Sequence, residues 1–198
     1  MKRTNKRKQL IEVGSHAIVQ RGYNAASIND ILTAAGVPKG SFYYYFASKE
    51  DFGLAIIDDF AARYQQRISN FLADERYSPL TRLRNYFAAK IAEMKTCECT
   101  DGCLIGNLAQ ELSAQNELFR DRLNQVFRCW EQCFAQCLSA AVVAGELEDR
   151  GNLEQLAQFI LSSWEGAILQ AKVAKSTEPM STFVDLMFSR VLLKSNSS

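Results

Sequence analysis

Proline and histidine are scarce in this sequence of 198 residues. Only three prolines occur, Pro38, Pro79 and Pro179, and almost a hundred residues separate the last two. Because proline is the residue that most reliably breaks a helix, this gap favours long helices. The single histidine, His16, leaves no Ser/His/Asp set, and the chain lacks a glycine-rich phosphate loop and a metal-ligand cluster. These absences argue against an enzyme, and neither a cofactor nor a metal is expected.

Long apolar runs are missing as well. No stretch approaches the ~18 apolar residues of a membrane span, so no membrane partner is expected. The basic start, MKRTNKRK, resembles the first part of a signal peptide, but Glu12 and His16 interrupt the apolar segment that should follow. With 47% hydrophobic and 23% charged residues, the composition is that of an ordinary globular protein. We expect a cytoplasmic protein whose six cysteines are thiols rather than disulfides.

The charge is unevenly distributed along the chain. Residues 1–50 carry eight Lys/Arg and three Asp/Glu, whereas residues 51–198 carry fifteen and nineteen. A basic head on an acidic body suggests that the head binds a polyanion and the body does not. A solvated, charged N-terminus would give the same count, so charge alone leaves both interpretations open.

The first fifty residues are predicted to form three short helices. One spans residues 5–21 and stops at Gly22, and a second begins at Ser27, where S-I-N-D supplies a cap and an acid. Gly36 suits a left-handed turn, and Pro38 then opens a third helix as a first-turn residue. A helix, a glycine-containing turn and a short helix are the layout of a helix-turn-helix.

The rest of the chain is predicted to be helical throughout. Ser48 and Asp51 start a long helix to about Ala73, and Ser78-Pro79 starts the next. Further helices are expected over 102–114, 117–145, 152–174 and 178–194. The predicted fold is all-α, with a three-helix head (residues 1–47) and a larger helical domain for ligand binding and dimerisation (residues 48–198).

The most informative segment is Val37–Phe52, VPKGSFYYYFASKEDF. On a helix starting at Pro38, Phe42, Tyr45 and Phe46 stand at i, i+3 and i+4 and form an inward face. The small residues at the start of this helix let it approach DNA closely, and tyrosine hydroxyls and Lys49 can reach phosphates. The alternative is that the three consecutive tyrosines are packing residues, which we expect to hold in part for Tyr45.

From Leu10 to Phe52 the sequence resembles the DNA-binding domain of the TetR family of transcriptional regulators. The resemblance is carried by Gly22-Tyr23, Ser27-Ile28, Ile31, Ala35-Gly36-Val37, Lys39-Gly40-Ser41-Phe42-Tyr43, Tyr45-Phe46 and Lys49-Glu50. It implies a repressor that binds a palindromic double-stranded DNA operator. By position it implies base or backbone contacts from Lys39, Gly40, Ser41, Tyr43 and Tyr44, and phosphate contacts from Ser27, Tyr45 and Lys49. At Tyr45 many members carry histidine, but a phenol also donates to phosphate.

The last two predicted helices carry more apolar residues than one packing face requires. These are Leu156, Ala157, Phe159, Ile160, Trp164, Ala167, Ile168 and Ala171, followed by Phe183, Val184, Met187, Phe188, Val191 and Leu192. Such breadth suggests burial on two sides, against the protein's own core and against a second copy. The TetR resemblance implies the same homodimer. A well-buried monomeric core is the alternative.

Most of the cysteines point to packing rather than to metal binding. Cys129, Cys133 and Cys137 share a helix face at i, i+4 and i+8, but no histidine or close carboxylate completes a tetrahedral set. Free cysteine is commonly a small buried apolar residue. Cys97 and Cys99 form only a C-x-C, which is a weak metal signal.

Cys103 differs from the other cysteines in its position near the start of a predicted helix. If Asp101 caps the following helix, Cys103 lies in its first turn, where the helix dipole favours thiolate, although Asp101 opposes that shift. Residues 101–104 and 164–175 resemble the NemR-like branch of the TetR family, which implies release from DNA by reactive electrophiles through cysteine. Lys172 lies in the matching C-terminal run, and a lysine near Cys103 would stabilise the thiolate. An inert Cys103 beside a ligand pocket is the alternative.

A small-molecule effector is the other expected partner. Five residues of the central helices are candidates to line its pocket, although each also fits a simple core position: Phe87, Met94, Phe127, Trp130 and Phe134. An enzyme and a helical adaptor or carrier without DNA binding are the competing classes. Salt-dependent binding to DNA would separate a regulator from both.

Overall fold

The computed structural model describes residues 2–149 and 151–192, with side chains from residue 6 onward. Nine α-helices occupy this described part: α1 (Lys2–Arg21), α2 (Ile28–Ala34), α3 (Phe42–Tyr45), α4 (Lys49–Leu72), α5 (Pro79–Thr96), α6 (Leu104–Leu112), α7 (Glu117–Val143), α8 (Leu153–Ala174) and α9 (Glu178–Leu186). A 3-10 turn, Lys39–Ser41, leads directly into α3, and a π-helical turn, Met187–Val191, continues α9. Residues 2–149 and 151–192 contain no strand, and the all-α prediction is confirmed.

The start signals predicted from the sequence were right in some places and wrong in others. The Ser48–Asp51 pair caps α4 reciprocally, because the Asp51 N–H donates to Ser48 Oγ (3.0 Å) and the Ala47 N–H donates to Asp51 Oδ2 (2.8 Å). Gly36 has the expected positive φ of 59°. Ser27 occupies the N-cap position of α2, but its side chain makes no capping hydrogen bond.

Two helix starts differ from the prediction. Pro38 lies before the third helix rather than in its first turn, because its ψ of 140° is extended and the helix begins at Lys39 as a 3-10 turn. Asp101 does not cap α6. Cys103 itself is the N-cap residue, and its sulfur accepts weakly from the Gly106 N–H at 3.5 Å.

The chain contacts divide into two compact units. One comprises Met1–Arg63 and Cys103–Val126, and the other comprises Tyr64–Gly102 and Phe127–Ser198. The first unit therefore contains the three-helix head together with α6 and the start of α7. The predicted domain division at residues 1–47 and 48–198 follows the helix-turn-helix boundary instead, and it stays a prediction.

An aromatic cluster forms the centre of the first unit. The rings of Phe42, Phe46 and Phe52 lie with their centroids 4.7 to 5.6 Å apart, and all three side chains are buried. At Gly14 of α1 a Cβ atom would lie only 2.4 Å from Phe52 Cζ and 2.9 Å from Ile56 Cδ1. Close packing of α1 on α4 therefore requires glycine at this position.

The second unit is built around a larger set of buried rings. Phe87 lies 4.6 Å from Trp164 and 5.8 Å from Phe134, and Tyr64 lies 4.6 Å from Trp130, measured between ring centroids. The hydroxyls of Tyr64 and Tyr86 form a buried hydrogen bond of 2.9 Å. These contacts join α4, α5, α7 and α8 through their inward faces.

Replacing Gly14 by alanine is expected to destabilise the protein by about 1–3 kcal/mol, because the added methyl must displace the Phe52 ring. Gly40→Ala is the matched control, since a Cβ there meets nothing within 4 Å. Urea unfolding followed by circular dichroism measures both. Equal stabilities for the two variants would show that the Gly14–Phe52 approach is looser than described.

Candidate nucleic-acid interface and effector site

The helix that was predicted to enter the DNA groove has a buried side and an exposed side. Phe42 and Phe46 are 1% and 2% exposed and hold α3 against the aromatic cluster. Tyr43 and Tyr44 are 73% and 59% exposed, and the Tyr43 ring lies edge-on to Phe42 at 5.4 Å. Tyr43 and Tyr44 therefore leave most of their surface accessible, whereas Tyr45 is half-buried with its ring against Tyr44, as the sequence suggested.

The residues that open this helix form a small, accessible surface. Lys39 and Gly40 are exposed and Ser41 is half-exposed. No heavy atom lies within 4 Å of the position a Cβ would take on Gly40. The surface Lys39–Tyr44 therefore combines one cation, one hydroxyl, two phenols and open space beside the backbone, a set of groups that can donate to bases and phosphates.

Ser27 lies at the end of the turn that joins α1 to α2, and Lys49 of α4 contacts this turn. Ser27 is half-buried at the start of α2. Lys49 Nζ donates to the backbone oxygen of Asn24 (3.2 Å) and lies 4.8 Å from the centre of the Tyr23 ring. Burial lowers the pKa of Lys49 below its usual value, and the negative charge of Glu111 opposes this shift. An ammonium has three donors, so one contact to Asn24 leaves others for a phosphate.

The sequence did not single out Glu111, which contacts the α1–α2 turn, or Asn116, which contacts the start of α4. The Tyr23 and Asn24 N–H groups donate to the two carboxylate oxygens of Glu111 at 2.8 and 2.7 Å. Asn116 Nδ2 donates to Glu50 Oε2 at 2.6 Å. Both partners are some 65 to 90 residues away in sequence, and nothing in the local pattern marks a long-range acceptor of this kind.

The two residues predicted to sense electrophiles each have a defined environment. Cys103 is 5% exposed at the start of α6. Lys172, in the last turn of α8, donates from Nζ to the backbone oxygen of Asp101 at 3.4 Å. The two belong to different compact units, and their neighbourhood stays a prediction.

The other cysteines do not form a metal site. Over the part of the chain that the structure describes, no group of three or more His, Cys, Asp or Glu side chains could hold a metal ion. Cys129 is exposed, Cys133 accepts from Gln65 Nε2 at 2.8 Å, and Cys137 is buried with its thiol on the Pro79 oxygen at 3.2 Å. Burial raises the pKa of Cys137 to about 11. The predicted role as a buried packing residue therefore fits Cys137 but not the exposed Cys129.

The candidate pocket residues are core residues of the second unit. Phe87, Met94, Trp130 and Phe134 are buried, and Phe127 is half-buried against Trp130. Two polar atoms buried in this unit have no hydrogen-bond partner, Trp164 Nε1 and Gln65 Oε1. An unpaired buried donor or acceptor costs about 1–3 kcal/mol, so these atoms are candidates for contacts to a bound molecule.

The last two helices carry apolar side chains on the surface. Most of the broad apolar arc predicted from the sequence is buried in the protein's own core, with Phe159 as the exposed exception. Three further exposed residues, not predicted from the sequence, extend this face: Leu169 and Val173 on α8 and Leu186 on α9. Phe159, Leu169 and Val173 recur at helical spacing, so they lie along one side of α8. None of the helices in the described ranges is long and apolar enough to cross a membrane.

Two family models match this chain. Residues 10–56 match the model for bacterial regulatory proteins of the tetR family, and residues 79–187 match the model for the tetracyclin repressor-like C-terminal domain. The first match covers the head and the start of α4, and the second covers most of the remaining helices.

Individual proteins resemble the chain over nearly its whole length. The HTH-type transcriptional repressor DhaR of Mycobacterium sp. (strain GP1) is 38% identical over 192 residues, covering 97% of this chain and 95% of DhaR. The HTH-type transcriptional repressor NemR of Escherichia coli is 32% identical over 174 residues, covering 88% of this chain and 87% of NemR.

Solved structures of regulators also resemble this chain over nearly its whole length. A regulatory protein TetR from Rhodobacter sphaeroides superposes with a TM-score of 0.88 and 35% identity, covering 94% of this chain and 98% of that one. The reduced form of E. coli NemR superposes with a TM-score of 0.88 and 29% identity, covering 98% of this chain and 100% of that one.

These relatives are transcriptional regulators, so the prediction that the chain is not an enzyme is confirmed. The resemblance to NemR predicted from the sequence is also supported. The chain belongs to the TetR family of bacterial transcriptional regulators.

Proposed function

We propose that this regulator is a cytoplasmic repressor that binds a palindromic operator as a homodimer and is released by a small molecule or a cysteine-reactive electrophile. The observation that carries the proposal is the exposed surface Lys39–Tyr44, held in place by the buried rings of Phe42 and Phe46. A short helix with its apolar side buried and its polar side exposed is what a helix-turn-helix needs to enter a major groove.

The proposed DNA contacts fall into two groups, those to bases and those to phosphates. Lys39, Gly40, Ser41, Tyr43 and Tyr44 are assigned to bases and the adjacent backbone. Ser27, Tyr45 and Lys49 are assigned to phosphates. Phosphate contacts set the orientation of the head on the duplex, and base contacts select the sequence.

Dimerisation follows from the apolar face of the last two helices. Phe159, Leu169, Val173 and Leu186 expose between 43% and 80% of their surface. A second copy that covered this face would remove the apolar area from water and place two heads on one duplex. A two-fold protein of this kind reads half-sites about one helical turn apart.

Release by an electrophile is assigned to Cys103, supported by its place at the N-terminus of α6 and by the similarity to NemR. With a quinone, the Cys103 thiol adds to a ring carbon. An Sγ–C bond forms, the thiol proton and the displaced ring hydrogen end on the two carbonyl oxygens, and nothing leaves. The adduct needs space that a 5% exposed thiol lacks, so the start of α6 must move. Lys172 is assigned a supporting role as a nearby cation.

A non-covalent effector is the second candidate. The unpaired Trp164 Nε1 donor, in a side chain that is 1% exposed, favours it. A ligand with an acceptor atom and an apolar body would pair this donor among the rings of Phe87 and Phe183. Either effector acts by favouring a spacing of the two heads that does not fit the operator.

Removing a DNA contact is expected to weaken operator binding without unfolding the protein. Tyr43→Ala and Lys49→Ala should each lower the affinity by about 10-fold to 100-fold, because each removes donors to the duplex. Tyr77→Ala is the control, since Tyr77 is also an exposed tyrosine but lies outside the head. Genomic fragments captured by the wild-type protein, measured by fluorescence anisotropy at several salt concentrations, supply the operator and the affinities. Wild-type affinity in both head variants would refute the assignment.

A charge on the apolar face of α8 is expected to break the dimer. Val173→Glu places a carboxylate in the covered surface and should shift the protein to monomer at micromolar concentration. Val143→Glu is the matched control, because Val143 is equally exposed but lies at the end of α7. Light scattering after gel filtration gives the mass of each variant. A wild-type protein that is monomeric, or a Val173→Glu variant that stays dimeric, would exclude this face as the interface.

Replacing the sensing thiol is expected to remove the response to electrophiles. Cys103→Ser should still bind the operator but should no longer be released by p-benzoquinone, because a hydroxyl is a poor nucleophile at neutral pH. Cys129→Ser should be released like the wild type, since Cys129 is merely the exposed thiol. Mass spectrometry identifies the modified cysteine. Unchanged release of Cys103→Ser by p-benzoquinone would show that Cys103 is not the sensing thiol.

A further inference from the structure

The turn between α1 and α2 is held by a residue far away in sequence. Gly22 leaves α1 with a φ of 83°, and the next two N–H groups, of Tyr23 and Asn24, both donate to the carboxylate of Glu111. A Cβ on Gly22 would lie 3.0 Å from Glu111 Oε2, so glycine both makes the turn and leaves room for the carboxylate. Hydrogen bonds to an ionised acceptor are about twice as strong as neutral ones.

Helix α4 also contacts this turn. Lys49 Nζ donates to the carbonyl of Asn24, so this one residue has its N–H on Glu111 and its C=O on Lys49. The Tyr23 ring lies edge-on to Phe119 at 5.1 Å, and a Cβ on Gly53 would lie within 3 Å of both rings. Burial, together with the charges of Glu50 and Glu111, raises the pKa of Tyr23 to about 12. The phenol therefore stays neutral in this acidic neighbourhood at physiological pH.

The Asn24 N–H group does not need Glu111 in order to have a hydrogen-bond acceptor. Asn24 is exposed, and water could satisfy its N–H group at little cost. A carboxylate that accepts two adjacent N–H groups adds a constraint on direction that water does not provide. The constraint acts on the residues that lead into α2, and α2 leads through Gly36 into the 3-10 turn and α3.

We infer that Glu111 is a positioning residue for operator recognition, which couples α6 to the DNA-reading helix by holding the Tyr23–Asn24 turn. This inference rests on the proposed function. Helix α6 has nine residues and a length of about 13 Å. Cys103 caps one end and Glu111 lies in the last turn of the other. A short helix moves as a rigid rod, so a displacement at Cys103 draws the carboxylate away from the turn.

Glu111→Gln tests this role with the smallest change of shape. The amide oxygen still accepts one N–H, but the amide nitrogen is a donor and faces the second N–H. We expect the amides of Tyr23 and Asn24 to exchange hydrogen about tenfold faster or more. The affinity for the captured operator fragment should fall about tenfold, while binding to random-sequence DNA stays within about twofold, since that term depends on phosphate contacts.

Glu117→Gln is the control variant. It removes the same charge from an exposed residue at the start of α7, where the carboxylate pairs with Arg120. It should leave both the exchange rates and the operator affinity as in the wild type. All affinities are measured well below the melting temperature of each variant, so a purely stabilising role of Glu111 would lower the melting temperature without changing the ratio of specific to random-sequence binding.

The outcomes separate this inference from the proposed function. Wild-type exchange at Tyr23 and Asn24, or a wild-type ratio of specific to random-sequence binding in Glu111→Gln, overturns the positioning role. Failure of the wild-type protein to select any fragment overturns the repressor proposal, and with it the role in operator recognition, whereas the exchange rates still decide whether Glu111 holds the turn. If circular dichroism shows Glu111→Gln to be unfolded, Glu111→Asp takes its place, because its shorter side chain withdraws the oxygens by one methylene.

Discussion

Burial of Phe42 and Phe46 against Phe52 gives the four-residue helix α3 a defined position. A helix this short has no stability of its own, because nucleation costs more than one turn of hydrogen bonds returns. Its geometry therefore comes from the rings beneath it, which lie 4.7 to 5.6 Å apart and are almost fully buried. The same packing positions the exposed side chains of Tyr43 and Tyr44, and any function of these residues in DNA recognition depends on it.

Close ring contacts explain why glycine recurs where the helices of the first unit meet. Gly14 lets α1 approach the Phe52 ring, and Gly53 makes room for the rings of Tyr23 and Phe119. Close-packed interiors tolerate no extra methyl group at such points without displacement of a neighbour. The rings beneath α3 are thus packed from α1, and the Tyr23 ring at the α1–α2 turn packs against Phe119 of α7.

Hydrogen bonds add to the packing of the buried rings in the first unit. Glu111, Lys49 and the Asn116–Glu50 pair fix the α1–α2 turn and the start of α4, and they come from two stretches of the chain, residues 49–50 and 111–116. Cys103 stands at the other end of the helix that carries Glu111. The nine-residue helix α6 therefore links the position of Cys103 to the contacts at the α1–α2 turn.

Local patterns in the sequence determined the all-α class, the helix-turn-helix and the exposed place of Lys39, Tyr43 and Tyr44, because helical periodicity and cap residues act over a few neighbours. The Ser48–Asp51 cap was predictable for the same reason. Tertiary structure alone decided that Cys103 rather than Asp101 caps α6, and that Leu169, Val173 and Leu186 stay exposed while most of the predicted apolar arc is buried. It also decided that Glu111 meets Tyr23 and Asn24, since which distant side chain reaches an unpaired N–H depends on how the helices pack and leaves no periodic trace in the chain.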